Sequence, residues 1–223
     1  MSGPFQRLAD GLRAGWRNFT RPPRILTACG LFEALAAEAA HVAQSATYAY
    51  LRARAGFMGP RLFTEKPFLE ALEVTRWEAL SAVMADMFVI AEGALRPHAG
   101  AGASLLPDRL TAAFVAELAR HPAPAHREGG WDGLDQALRL RLAHGQSGPP
   151  PSSDAIAAQS GAHIFAHLPL HPDLLRLDEE LVVNSVRFRV LAGWQQLRER
   201  CDFAAIAREL AGENAENAEE TPA

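Results

Sequence analysis

Apolar residues recur every three or four positions along most of this chain, and alternation of the strand type is nearly absent. This spacing places apolar side chains on one side of a helix and predicts an all-α protein. One long helix is expected over residues 25–55, with Leu35 and Val42 on the same side. A second is expected over residues 65–95. Joined by a loop, the two would form an antiparallel helical hairpin.

Capping residues mark the expected helix boundaries. Thr64 is placed to cap the second long helix, and Phe63 and Phe68 occupy the two positions of a hydrophobic staple. Ser153 is expected to cap a later helix, and Asp202 the last one. Together with breaks at proline and glycine, these signals predict further helices over residues 108–120, from residue 133, and over residues 153–168, 172–200 and 202–212. The predicted fold is a helical bundle built on the long hairpin, with shorter helices and a long C-terminal helix.

Shifts in composition divide the chain into five parts. Residues 1–24 are expected to form a basic amphipathic N-terminal helix, and residues 25–148 the main helical bundle. A proline-rich linker over residues 149–153 leads to C-terminal helices over residues 154–212, which are expected to pack on the bundle. The acidic tail, residues 213–223, has no large apolar side chain and is expected to be disordered.

The opening segment has the pattern of a basic amphipathic helix. On a helical wheel its large apolar side chains lie within an arc of about 100°, the width of one apolar stripe. These side chains are Phe5, Leu8, Leu12, Trp16 and Phe19, and the arginines on the other faces are Arg7, Arg13 and Arg17. Five arginines against one aspartate give residues 1–24 a charge of +4, which is typical of a helix lying on anionic lipid. The same stripe would also suit packing on the protein's own core or in a partner's groove.

Composition and charge narrow the classes of partner. The 223 residues carry a net charge of −4, which argues against nucleic acid because phosphate binding requires a basic surface. No apolar run is long enough and sufficiently free of charge to span a membrane, and no secretory signal is recognisable. Cys29 and Cys201 are far apart in the sequence and are expected to be free thiols in a reducing compartment. The chain is therefore expected to be cytoplasmic, either free or at a membrane surface.

Two histidines are the main candidates for site chemistry. His163 and His167 are four residues apart on a predicted helix, so both imidazoles project from one face, and Asp173 follows shortly after. Two imidazoles and a carboxylate are ligands that zinc accepts, so these three residues form a candidate zinc site. The alternative is that both histidines are half-buried helix residues with local hydrogen bonds. Glu38 and His41 have the Glu-x-x-His spacing of di-metal bundles, but the chain lacks the second such motif that this architecture needs.

The helix predicted over residues 172–200 carries an apolar row with core spacing. Asn184 falls within this row, and Asp178 and Arg187 lie near it. A buried polar group here would either fix the register of the helix or line a polar pocket. The row consists of Leu177, Leu181, Phe188, Leu191 and Trp194.

No sequence motif for catalysis stands out. The chain has no GxSxG nucleophile elbow, no GxxxxGK[ST] phosphate loop and no GxGxxG fingerprint. Three acids on the second long helix, Glu70, Glu73 and Asp86, are interpreted as a solvated face instead of paired acid–base groups.

Two hypotheses about function remain, and they belong to different classes. The favoured one is a non-enzymatic accessory, adaptor or assembly-factor protein whose N-terminal segment binds an anionic membrane surface or a partner protein. The charges of the chain ends agree with it, since residues 202–223 carry one arginine against six acids. The alternative is a small-ligand- or metal-binding helical enzyme that uses His163, His167 and Asp173, with His41 as a further candidate.

Overall fold

The computed structural model describes residues 23–56 and 59–212. Within these ranges the chain is helical and contains no strand, which confirms the predicted all-α class. The predictions for the basic segment at residues 1–22 and for the acidic tail at residues 213–223 lie outside the described residues. None of the helices in the described ranges is long and apolar enough to cross a membrane.

The α-helices longer than one turn are labelled here in chain order. They are α1 (Ala28–Ala55), α2 (Lys66–Leu95), α3 (Leu106–Leu118), α4 (Leu134–Gln146), α5 (Ser153–Ala166), α6 (Glu179–Arg198) and α7 (Phe203–Ala211). Single helical turns lie at Gly59–Leu62 and Pro172–Leu175, and two 3₁₀ helices lie at Arg96–His98 and Gly100–Leu105. The helix predicted over residues 172–200 is therefore two elements, a short turn followed by α6.

The capping predictions are partly correct. Asp202 caps α7 as predicted, while α5 is capped by Ser152 and not by Ser153. Thr64 does not cap α2, because its hydroxyl donates to the carbonyl oxygen of Arg61 instead. The two phenylalanines of the predicted staple do meet, with their ring centroids 5.1 Å apart.

Helix α2 lies at the centre of the molecule and packs against α1, α3, α4 and α5. Its side chains Val83, Met87 and Phe88 are completely enclosed. The Phe88 ring contacts Phe32 of α1 and Phe114 of α3, with centroids 5.9 and 5.7 Å apart. Residues 77–92 of α2 are enclosed by the other helices and form no solvated face. Any acid within residues 77–92 therefore lies inside the protein.

The face of α6 that is buried differs from the predicted one. Leu177, Leu181 and Phe188 are 83%, 61% and 73% exposed, so the prediction that they face the core is wrong. Gly161 of α5 explains the difference, because a Cβ there would lie 2.8 Å from the Cα of Val183 and would hold the two helices apart. Close packing at this glycine turns the other side of α6 inward. The side chains buried there are Val182, Val186, Val190 and Leu197, and Trp194 of the predicted row is buried as predicted.

Candidate functional site

Three acidic side chains of α2 are buried inside the protein. Glu78, Asp86 and Glu92 each accept hydrogen bonds from a different arginine. The pairing is required because an unpaired charge in the interior is costly. The interpretation of Asp86 as part of a solvated face is wrong, since its side chain is 0% exposed, whereas Glu70 and Glu73 are exposed.

Glu78 is the centre of a hydrogen-bond network that joins three parts of the chain. Its Oε1 accepts from Arg127 Nε at 2.6 Å and lies 2.8 Å from His126 Nε2. Its Oε2 accepts from Arg127 Nη2 at 2.8 Å and lies 2.8 Å from His163 Nε2. Arg127 and His126 belong to the loop between α3 and α4, and His163 belongs to α5. One carboxylate of α2 thus holds this loop and α5 in place.

These partners determine the charge of Glu78. Burial by itself would raise the pKa of this carboxyl, but the hydrogen bonds from Arg127, His126 and His163 outweigh burial and hold the pKa far below its usual range. The hydrogen bond to Glu78 in turn raises the pKa of Arg127. Both groups are therefore charged at neutral pH.

The two candidate histidines lie side by side, as their spacing predicts. The ring centroids of His163 and His167 are 4.5 Å apart, and Nδ1 of His167 is 2.8 Å from the backbone oxygen of His163. A carbonyl oxygen can only accept a hydrogen bond, so the neutral His167 ring carries its proton on Nδ1. Nε2 of His167 then keeps a free lone pair.

Glu78, His163 and His167 form a group whose ligand atoms all lie within 4.8 Å of one another. The structure thus brings together two of the three predicted ligands and adds Glu78, which is 85 positions from His163 in the sequence. Asp173 is placed elsewhere. Its side chain is 88% exposed and lies 3.3 Å from Nδ1 of His171.

Other polar residues singled out by the sequence lie apart from this group. His41 is exposed on α1, and Asn184 is half-buried on α6. Asp178 accepts a hydrogen bond of 2.8 Å from the Tyr50 hydroxyl, which ties α1 to the start of α6. Arg187 pairs with an aspartate at the surface. None of these side chains is among the hydrogen-bond partners of the Glu78 carboxylate within the described ranges.

Asp86 forms a second buried pair two turns further along α2. Arg141 Nη2 of α4 donates to Asp86 Oδ1 at 2.5 Å, and the backbone N–H of Ser160 in α5 donates to Oδ2 at 2.9 Å. Burial raises the pKa of this carboxyl, while the charge of Arg141 and the bonds from Ser160 act in the opposite direction. Asp86 thereby connects α4 and α5 through α2.

A cavity of about 320 Å³ opens between α2, α4 and α5, beside the Glu78–Arg127 and Asp86–Arg141 pairs. It is called the arginine cavity below. Its lining combines polar and apolar side chains. The polar side chains include Arg127, Arg141, Gln159 and His163, and the apolar ones include Phe114, Leu134, Ala137 and Leu138.

Comparison of the chain with protein-family models, with curated proteins and with solved structures finds no match. The assignment of function therefore depends on the chemistry of the site. That chemistry consists of an ionised buried carboxylate beside two imidazoles, and of a cavity lined by Arg127, Arg141 and one of these imidazoles, His163.

Sequence reasoning missed Glu78 as a site residue, although one signal was present. The stretch from Trp77 to Ala91 carries large apolar side chains on all sides of α2, so an acid within it could have been assigned to the interior. No comparable signal marks Arg127 and His126, because they lie in a loop without regular periodicity. Their role follows only from the tertiary fold.

Proposed function

We propose that this chain is a helical accessory protein that binds one divalent transition-metal ion, with zinc as the best fit, through Glu78, His163 and His167. The observation that carries this proposal is the convergence of a buried carboxylate and two imidazoles within 4.8 Å. Zinc is bound in proteins by these oxygen and nitrogen ligands. Two of the three ligand atoms are ready for a metal, since Glu78 is ionised and His167 Nε2 has a free lone pair. His163 Nε2 would release the proton that it now donates to Glu78, because a metal-bound imidazole nitrogen is deprotonated.

The ion would lie between Glu78 Oε2 and the Nε2 atoms of His163 and His167. Metal–ligand bonds of about 2.0–2.2 Å would require Oε2 and His163 Nε2 to separate slightly, and the proton between them to leave Nε2 as the ion binds. Arg127 and His126 would keep their bonds to Glu78 and so orient the ligand. The His167 ring is already oriented by its Nδ1–H bond to a backbone carbonyl, an arrangement typical of metal-bound histidines. Three protein ligands leave a fourth position for water or another ligand.

The competing explanation is a metal-free network in which Arg127 alone balances the charge of Glu78. In that case the closeness of His167 would have no consequence for the carboxylate. The two explanations predict different effects of removing the His167 ring. Without a metal, the Glu78 network should stay intact, because its hydrogen bonds come from the other three side chains. With a metal, the same change should abolish metal binding.

The metal content of the purified full-length chain tests the proposal. After incubation with zinc and removal of excess ion, we expect about one zinc per wild-type chain, since one three-ligand site is formed. His167→Ala should abolish this content, whereas His171→Ala should not change it. His171 is a matched control because it is an exposed histidine four residues away, whose ion pair within the described ranges is with Asp173. Absence of zinc from the wild type, or equal zinc in both variants, would contradict the metal site.

A second candidate function is attachment of the protein to an anionic membrane surface through residues 5–19, in the cytoplasm. The observation in its favour is the exposed position of Arg24, next to the basic segment in the sequence. Arg24 is exposed and lies 3.4 Å from Asp202 at the surface. The next residue, Ile25, exchanges backbone hydrogen bonds with Arg200 and Asp202. The residue that follows the basic segment in the described chain thus lies at the protein surface, which agrees with a segment that binds lipid or a partner protein.

Co-sedimentation of the full-length chain with anionic and neutral vesicles tests this second role. We expect binding to anionic vesicles only, weakened by salt and lost on Trp16→Asp. Phe188→Asp serves as the control, because Phe188 is the most exposed aromatic side chain of α6. Binding that persists in Trp16→Asp and disappears in Phe188→Asp would assign the membrane contact to α6 instead.

A further inference from the structure

The arginine cavity has features of a ligand site that the metal proposal does not use. We propose that it binds a small organic carboxylate, with the carboxylate at Arg127 and Arg141 and an apolar body against Phe114 and Leu138. This proposal goes beyond metal binding, since Arg141 and Asp86 are outside the group of metal ligands. The cavity volume of about 320 Å³ is at the lower end of the range for small-molecule sites.

The two arginines have donors left over after they have paired with the buried acids. Arg141 uses Nη2 for Asp86, and Arg127 uses Nε and Nη2 for Glu78. Within the described ranges, Nε and Nη1 of Arg141 and Nη1 of Arg127 have no hydrogen-bond partner. A guanidinium binds a carboxylate through such N–H groups in a planar, charge-assisted arrangement.

The buried acids hold both arginines in fixed positions. Asp86 is completely enclosed and is itself held by the Ser160 N–H, and Glu78 is held by three side chains. A ligand would therefore meet donors that are already ordered, which lowers the entropic cost of binding. Buried ion pairs are often no more stabilising than apolar residues of similar size.

The apolar part of the lining selects the rest of the ligand. Phe114, Leu134 and Leu138 present apolar surface, and Ala137 and Gln159 lie at the exposed mouth. Apolar surface of this kind favours a hydrocarbon or aromatic body over a second charged group. The preferred ligand class is therefore a monocarboxylate with a compact apolar body, and not inorganic phosphate.

Titration calorimetry of the full-length chain tests the proposal with benzoate, its neutral counterpart benzamide, and inorganic phosphate. We expect benzoate to bind at least about tenfold more tightly than benzamide, because charge-assisted hydrogen bonds to arginine contribute this much. Equal affinity for benzoate and benzamide, no binding of either, or tighter binding of phosphate would overturn the proposal.

Two variants locate the binding. Gln159→Glu places a negative charge at the mouth and should weaken benzoate binding at least about threefold. Gln136→Glu makes the same change at an exposed position of α4 outside the cavity and should leave binding unchanged. The double change Asp86→Asn with Arg141→Gln removes the arginine without leaving a buried charge, and should weaken binding about tenfold or more. Circular dichroism confirms folding of each variant, and equal affinities in all of them would overturn the assignment.

The same titration separates this proposal from the metal site. Benzoate binding should persist in chelator-treated protein and in His167→Ala, since neither change removes Arg127 or Arg141. Loss of benzoate binding in both would show that the cavity has no carboxylate site independent of the metal.

Discussion

Glu78 illustrates how a single residue gains its properties from its surroundings. Burial favours the neutral acid, and three hydrogen-bond donors from Arg127, His126 and His163 favour the carboxylate more strongly. The group is therefore ionised inside the protein and available to a cation. The proposed metal site thus uses a carboxylate that also stabilises the fold.

Replacement of this carboxylate should change the pH dependence of stability. At pH 7 we expect Glu78→Gln to lower the free energy of unfolding by about 2–3 kcal/mol, because a buried hydrogen-bonded charge is lost. The pKa of Glu78 is lower in the folded protein than in the unfolded chain. Its contribution is thus full above the unfolded value of about 4.3 and is lost as the pH falls below it.

Urea unfolding of wild type and Glu78→Gln between pH 7 and pH 3 measures this effect. The stability difference between the two proteins should shrink as the pH falls. A difference that is constant across this range would mean that the carboxylate is not stabilised by its partners in the folded state.

At the scale of elements, the close approach of α5 and α6 determines which face of α6 is buried. Gly161 lets α5 pack directly against the backbone of α6 at Val183. The sequence predicted α6 as a helix but selected the wrong buried face, because apolar side chains occur on two sides of it. Only the tertiary contact decides between the two rows. By contrast, the pairing of His163 with His167 was predictable, since it depends on helical spacing within one element.

Substitution of Gly161 tests the importance of this contact. Gly161→Ala should lower the free energy of unfolding by about 1–3 kcal/mol, because the added Cβ would meet backbone atoms that cannot move aside easily. Gly145→Ala in α4 is the control, since a Cβ there would have 3.5 Å to its nearest neighbour, Arg96. That change should be neutral or stabilising by up to about 1 kcal/mol. Chemical denaturation with equal results for both variants would contradict the tight packing at Gly161.

The exposed row of α6 gives a second test at this scale. Phe188→Ala should change the free energy of unfolding by no more than about 0.5 kcal/mol, since the ring is 73% exposed. Val190→Ala, on the buried face, should cost about 2 kcal/mol. Thermal or urea unfolding of the full-length chain measures both. A cost at Phe188 as large as that at Val190 would mean that residues 1–22 or a second copy of the chain cover this row.

At the scale of the whole molecule, the central helix α2 organises both proposed sites. Its buried acids collect a loop, α4 and α5 around one region. The helical class followed from apolar periodicity alone. The site did not, because Glu78, Arg127 and His163 come from separate parts of the sequence and no local pattern links them. Long-range convergence of this kind is specified by packing of the complete chain.

The most direct test of the central claim is the visible absorption spectrum of the full-length chain during titration with Co²⁺, which substitutes for zinc and reports its own coordination. We expect the bands of four-coordinate cobalt to rise until about one equivalent has been added, and to be absent from Glu78→Gln and His167→Ala. His171→Ala should give the wild-type spectrum. A wild-type spectrum that stays that of cobalt in water would contradict metal binding by Glu78, His163 and His167.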